Sequence, residues 1–397
     1  MDKRHIVGID VGTSTVKVFI GKMDTDGSVL IVGSGIMPTV GFEKGIITDV
    51  QKLAMSVHQA VECAMLATNI SVKDAYLGVG GLELHSISST GSIAPAITDA
   101  ITHEDINRVY QAAIVAAVPD DHEVLHMLPK YFMVDKERQI NIPLQQPCTQ
   151  LEVEVHIVTM PKIIVNTLVD AIEKLGVEII GVVASSIVTT QALFANGLQN
   201  YLFVDIGAGT TELILYRDRQ IDLSATLPLG GDYITSDIMK GFDVSYIHGE
   251  EIKKYYAKLD KNLRGQNITL DCNDYGTTDK QISYDFLYNI IESRIDEIVY
   301  LISDYLKGTL GEYNIEKVFL TGGCGAMPSV GDSMEKVFER PVEVVATKEL
   351  LHEYANPMNV ACYGVLKYAI NHMPTTQVSS SHPWGSFLSK FKKIFKS

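Results

Sequence analysis

One pattern occurs twice in this chain, once in each half. The first copy reads Ile6-Val7-Gly8-Ile9-Asp10-Val11-Gly12-Thr13-Ser14 and leads into the apolar run Val16 to Ile20. The second reads Leu202-Phe203-Val204-Asp205-Ile206-Gly207-Ala208-Gly209-Thr210-Thr211 and leads into Leu213 to Tyr216. Each is an apolar run with an Asp near its end, then small or hydroxylated residues, then a second apolar run. This is the signature of a strand–turn–strand hairpin. A chain with the same hairpin in both halves is constrained to two similar lobes that face each other. Small-residue turns offer backbone N–H groups to phosphate, and Asp can hold a metal ion through water. Two facing hairpins can grip a polyphosphate from both sides.

The bulk properties leave room for two such lobes. At 397 residues the chain is too long for one small core and accommodates roughly two to four domains. Hydrophobic content of 46% and charged content of 20% describe a folded chain without extensive disorder. The net charge of −15 argues against nucleic acid as a partner. Cys63, Cys148, Cys272, Cys324 and Cys362 are scattered, with no CxxC pair and no His at metal spacing. That points to a reducing compartment, without a disulfide framework or structural zinc. Met1 to His5 leads directly into the first strand, so no signal peptide is expected, and no apolar run is long enough to span a membrane.

Along the chain, residues 5–36 read as successive strands with a turn at Asp26-Gly27. Leu53, Val57, Ala60, Val61 and Ala64 recur at helical spacing. Residues 85–160 hold a helix (Glu104 to Ala117) between strand-like stretches and read as a block inserted into the first lobe. Pro161 marks the start of a helix that runs toward Gly176, and Glu178 to Val183 is a strand. The expected organisation is a first-lobe core at 1–84, with 161–200 and 359–372 returning to it. A second-lobe core follows at 201–229 and 306–358, carrying a small subdomain at 230–305. Residues 373–383, rich in Ser, Thr and Pro, read as a linker before a terminal segment at 384–397.

The hairpins supply the candidate ligand groups. Asp10 and Asp205 are the candidates for a Mg²⁺ shell through water. Gly12, Thr13 and Ser14 in the first turn, and Gly207, Ala208, Gly209, Thr210 and Thr211 in the second, are candidate phosphate donors. Lys17 can reach a phosphate oxygen. A third piece, Thr321-Gly322-Gly323-Cys324-Gly325-Ala326, follows a buried strand and opens a helix, so its backbone can approach a ribose or base. Glu250 and Lys253 share one helical face and can bracket an adenosine, although a solvated ion pair explains them equally well.

The terminal segment has a different character. Trp384, Phe387, Leu388, Phe391, Ile394 and Phe395 fall within an arc of roughly 120° on a helix. Lys390, Lys392, Lys393 and Lys396 fill the remaining surface. The segment carries +4 against −15 for the whole chain, which leaves −19 for the rest. Such a helix suits the surface of an anionic membrane. Four lysines there contribute at most about 4 kcal/mol. One tail therefore binds weakly, and many tails on one polymer bind tightly through effective concentration.

The order of these motifs resembles the actin and sugar-kinase ATPase superfamily. Gly41-Phe42-Glu43-Lys44-Gly45-Ile46-Ile47, the stretch Leu227 to Ile238, Leu320-Thr321-Gly322-Gly323, the insert and the tail narrow the resemblance to the FtsA family of actin-like cell-division proteins, across essentially the whole chain. The resemblance implies an α/β, actin-like two-lobed ATPase fold with an FtsA-type subdomain inserted in the first lobe and a C-terminal amphipathic helix. It implies ATP and Mg²⁺ as ligands, and self-association into filaments. It also implies FtsZ as the partner, through its C-terminal peptide on the subdomain at 230–305, where Arg294 stands among acidic residues. Other division proteins and the cytoplasmic face of the cell membrane at the septum complete the implied setting. Nucleotide binding follows more directly than turnover, because the helix after Pro161 offers no clear counterpart of a hydrolytic glutamine or glutamate, Asp170 being the nearest acidic candidate. The alternative is a small-metabolite kinase of the same superfamily, which needs a substrate cluster that the sequence does not display.

Overall fold

The apolar runs at the start of the chain become a β-meander in the computed structural model: β1 (Ile6–Val11), β2 (Thr15–Met23) and β3 (Val29–Pro38). All six residues of β1 are buried, which is why it reads as a continuous apolar run rather than an alternation. The described residues are 5–24, 28–193, 199–256, 261–266, 268–271, 281–310, 314–346 and 354–372. The Asp26-Gly27 turn, the linker and the whole terminal segment lie outside them.

A short hairpin, β4 (Phe42–Glu43) and β5 (Ile46–Ile47), precedes α1 (Val50–Leu66) and β6 (Asp74–Val79). Asp49 caps α1 by accepting from the Lys52 amide, and the helix buries Leu53, Val57, Ala60, Val61 and Ala64, the face its spacing predicts. Next come β7 (His85–Ile93), α2 (His103–Ala117), β8 (His122–Val134), β9 (Glu137–Gln139) and β10 (Leu151–Pro161). Their four strands pair in the order β7-β10-β8-β9 around a separate core that includes Val109, Tyr110, Phe132, Val153 and Val155. A capping box between Thr102 and Asp105 starts α2. The chain then returns through α3 (Lys162–Glu173), β11 (Glu178–Ala184) and α4 (Ser185–Leu193). Pro161 ends β10 and stands just before α3 rather than inside it.

The second lobe holds β12 (Tyr201–Ile206), β13 (Thr211–Arg217), β14 (Gln220–Leu227), α5 (Gly231–Phe242) and α6 (Tyr246–Tyr256). It continues with β15 (Thr269–Asp271), β16 (Gln281–Ser283), α7 (Tyr284–Leu310), β17 (Lys317–Thr321), α8 (Pro328–Phe338) and β18 (Val342–Val344). Finally α9 (Val360–His372) crosses back onto the first lobe, where Tyr363, Val365 and Leu366 pack with Ile6 and Phe19.

The two main sheets have one topology. The first runs β11-β6-β1-β2-β3 and the second β14-β13-β12-β17-β18, each an antiparallel meander joined to two parallel strands. The repeated hairpins are thus the equivalent first turns of two matched lobes. A shared apolar core joins the lobes, with Ala184 and Ile187 from one side meeting Phe203, Ile214 and Phe319 from the other. Among the described residues no helix is long and apolar enough to cross a membrane.

Candidate nucleotide cleft

The two hairpin turns close with the same hydrogen bond. The Gly12 amide donates to the Thr15 carbonyl at 3.2 Å, and the Gly207 amide donates to the Thr210 carbonyl at 2.9 Å. Both open into one cleft between the lobes. Asp10, Gly12, Thr13, Ser14 and Lys17 line it from the first lobe, and Asp205, Gly207, Ala208 and Thr210 from the second. Glu250 and Lys253 on α6, with Gly322 and Gly323 after β17, complete the wall. Gly322 has φ +90°, and a methyl there would lie 2.3 Å from Asp205 Oδ1, so only glycine lets this turn lie against the carboxylate.

Four residues of the sequence motifs stand back from the cleft. Gly209 packs against Thr13 and Lys44 instead of facing the opening. Thr211 is fully buried, and its hydroxyl donates to the Leu229 carbonyl at 2.8 Å. Gly325 faces the Thr321 carbonyl, and the Ala326 amide donates to the Gly322 carbonyl at 3.0 Å, so both serve the turn itself.

The hairpins differ in one cross-strand pair. Lys17 lies opposite Asp10, whereas Glu212 lies opposite Asp205. Asp10 is buried; desolvation pushes its carboxyl up, against the pull of Lys17 and a 2.7 Å hydrogen bond from Ser185 Oγ. Asp205 is pushed up to about 8, first by desolvation, then by Glu212 and Asp10, with Lys17 opposing. Desolvation also raises Glu212, although hydrogen bonds from Ser186 and the Gly81 amide (3.3 Å) favour its charged form. Three carboxylates therefore share the cleft floor with one lysine, a donor set deficient in positive charge.

Sequence reasoning missed Glu212, Ser185 and Ser186. Ser185 and Ser186 open α4, each serving a carboxylate, one from its own lobe and one from the opposite lobe. Glu212 was accessible by matching the hairpins position for position, since it follows Asp205 at the interval by which Lys17 follows Asp10.

On α6, Lys253 Nζ lies 2.6 Å from Glu250 and donates to the Gly231 carbonyl and Thr235 Oγ1. Burial pushes the Glu250 carboxyl up, but Lys253 and the Thr235 hydroxyl together outweigh it and hold the pKa below its usual value. This pair is a partly buried tie between α6 and α5, not a solvated surface pair. Arg294 on α7 donates from Nε to Asp237 at 2.5 Å and from a terminal nitrogen to Glu297 at 2.6 Å, which fastens α7 to α5.

Comparison with known proteins identifies the lineage. The family model for the SHS2 domain inserted in FtsA matches residues 81–159, and that for cell division protein FtsA matches 202–364. The chain belongs to the FtsA family. Cell division protein FtsA of Bacillus subtilis (strain 168) is 29% identical over 368 residues, covering 91% of this chain and 83% of that protein. That of Pseudomonas aeruginosa is 28% identical over 374 residues, covering 92% and 89%. A chain of the PilM-PilN type IV pilus biogenesis complex superposes with a TM-score of 0.67 at 15% identity, across 93% of this chain and 99% of that one. MreB5 of Spiroplasma citri bound to AMPPNP gives 0.51 at 13% identity, across 92% and 95%. The FtsA-family chain therefore has the actin-like ATPase fold, with the SHS2 insert as its β7–β10 sheet and α2.

Proposed function

We propose that this FtsA-family protein binds ATP with Mg²⁺ in the interlobe cleft, assembles into actin-like filaments, and tethers FtsZ to the cytoplasmic face of the membrane at the division septum. The observation that carries the reading is the convergence of two hairpins of one design, with Asp10 and Asp205 on one cleft floor. Amides of Thr13, Ser14, Ala208 and Thr210 would donate to phosphate oxygens, and Glu250, Lys253, Gly322 and Gly323 would flank the nucleoside.

The donor set suits Mg²⁺. Among the described residues no three His, Cys, Asp or Glu side chains converge as a complete metal shell. Mg²⁺ keeps most of its waters and takes one or two carboxylates plus phosphate oxygens, which two carboxylates short of positive charge can supply. When bound, the ion would neutralise phosphate charge beside Asp10 and Asp205. Lys17 stays paired with Asp10, and Ser185 and Ser186 hold Asp10 and Glu212 in place. Asp170 on α3 is exposed and stands away from the cleft, and ligand-driven assembly is the proposed use of the site.

The terminal segment supplies the anchor, with Trp384, Phe387, Leu388, Phe391, Ile394 and Phe395 entering the lipid and the four lysines meeting anionic headgroups. The subdomain at 230–305 would receive the C-terminal peptide of FtsZ, with a peptide carboxylate competing with Glu297 for Arg294. The deciding experiment is co-sedimentation of an FtsZ C-terminal peptide with anionic vesicles. Wild-type protein should carry the peptide down, and Phe391→Glu, which places a charge in the apolar arc, should leave both in solution. Equal sedimentation of the two proteins would remove the anchor, and no peptide in the wild-type pellet would remove the tether.

A further inference from the structure

The segment between β3 and α1 touches both phosphate hairpins. Its base is tied to the first hairpin: Thr39 Oγ1 donates to the Gly12 carbonyl at 2.7 Å and the Thr39 amide to the Ser14 carbonyl at 3.0 Å. The Gly41 carbonyl accepts from the amides of Thr48 (2.8 Å) and Asp49 (3.1 Å), which closes a loop around the β4–β5 hairpin. At the tip, Lys44 and Gly45 take left-handed conformations, φ +50° and +79°. The Gly45 carbonyl accepts from the Leu82 amide at 2.9 Å.

That tip rests on the second lobe. A methyl on Gly45 would lie 2.4 Å from Thr210 Cγ2, and one on Gly209 would lie 2.9 Å from the Lys44 α-carbon and 2.8 Å from Thr13 Cγ2. The Gly209 backbone thus lies against that of Lys44, and the Thr210 methyl lies against Gly45, with no side chain on either glycine to keep the lobes apart. The attachments are asymmetric. The hydrogen bonds named above bind the segment to its own lobe, while its contact with Gly209 and Thr210 is steric.

We propose that residues 39–48 form a closure strap, anchored on the first phosphate hairpin and seating against the second. The strap sets the spacing between the hairpins and so positions their amides for a polyphosphate held between them. It travels with the first lobe; opening the cleft would lift its tip from Gly209 and Thr210 without breaking its own hydrogen bonds. Thr39, Lys44 and Gly45 are positioning residues in this arrangement, and the proposal rests on the cleft being a nucleotide site.

Hydrogen–deuterium exchange and calorimetry on the full chain, with Mg²⁺ and AMPPNP as the probe, test it. In the wild type, AMPPNP should slow exchange in 39–48 as well as in 207–211. Gly45→Ala, forced into both a left-handed φ and a clash with the opposite lobe, should lower affinity roughly tenfold or more and abolish the added protection of 39–48. Thr210→Ser in that background removes the opposing methyl and should restore part of the affinity. Thr39→Val adds no bulk, loses one hydrogen bond, and should weaken binding about fivefold. It serves also if Gly45→Ala does not fold. Wild-type affinity in Thr39→Val and in any folded Gly45→Ala, or ligand protection confined to 207–211, would overturn the strap alone. Failure of the wild type to bind AMPPNP would overturn the nucleotide reading, and the positioning role with it.

Discussion

With Mg–nucleotide bound in the cleft as proposed, Asp205 should make the affinity depend on pH. Enclosed beside Glu212 and Asp10, its carboxyl is pushed from an ordinary 3.8 up to about 8, so the ligand-free cleft holds a proton at neutral pH. Mg²⁺ and its waters need the ionised form. Ionising a group of pKa about 8 at pH 7 costs about 1.4 kcal/mol, a tenfold loss of affinity, and each further unit down costs the same again. Affinity should therefore climb up to tenfold per unit from about pH 6 and level off above about pH 8. Asp205 keeps part of its surface open to the cleft, where water relieves some of the desolvation, so tenfold per unit is an upper bound. Calorimetry with Mg–AMPPNP across this range, in two buffers of different ionisation enthalpy, should register close to one proton released per ligand bound near neutrality. The same titration in EDTA subtracts the nucleotide's own protonation. Asp205→Asn should flatten the slope and remove most of the Mg²⁺ dependence. Affinity independent of pH in the wild type, or an unchanged slope in Asp205→Asn, would show that Asp205 does not govern the site. The raised pKa also acts on folding. The unfolded chain ionises Asp205 near 3.8 and the folded chain only near 8, so this contribution to stability is full below about pH 4 and is lost as pH rises to about 8.

Three substitutions test other parts of the architecture. Ser185→Ala removes the 2.7 Å hydrogen bond to buried Asp10 and should cost about 1–3 kcal/mol in denaturant unfolding; an unchanged midpoint would show the bond to be dispensable. Lys253→Met leaves Glu250 without its closest cation and should cost about 2 kcal/mol, after allowance for the pair's partial exposure. A double-mutant cycle with Glu250→Gln checks it, since strictly additive losses would mean that the two do not interact. Phe132→Ala opens a cavity beside Tyr110 in the insert and should cost about 3–5 kcal/mol. Peptide-level hydrogen exchange should locate the added opening in residues 85–160, because that core is separate from those of the lobes; equal opening throughout would contradict that separation.

Local pattern carried much of the fold. Buried strands such as β1 and β17 are continuous apolar runs, and α1 repeats its apolar face at helical spacing, so both were legible residue by residue. The start of α4 was not. Every residue from Ser185 to Thr190 is buried, so the helix has no polar face to give it a period, and its Ile, Val and Thr residues favour strand. The two serines that hold Asp10 and Glu212 were hidden for that reason. The pairing of Glu250 with Lys253 was visible as a spacing, but its burial against Gly231 and Thr235 was not.

From its sequence alone the chain was bound to form two hairpins of one design, because apolar runs broken by turns of small residues are local properties. What those hairpins do to each other is not local. Ser185 reaches Asp10 across 175 positions, Glu212 meets Gly81 across 131, and the 42–47 hairpin meets Gly209 through backbone and the Thr210 methyl through Gly45, contacts whose mark on residue type is glycine. Only the packed lobes bring three carboxylates around one lysine, and only that proximity, by desolvation and mutual repulsion, turns an ordinary aspartate into a group that titrates near neutrality.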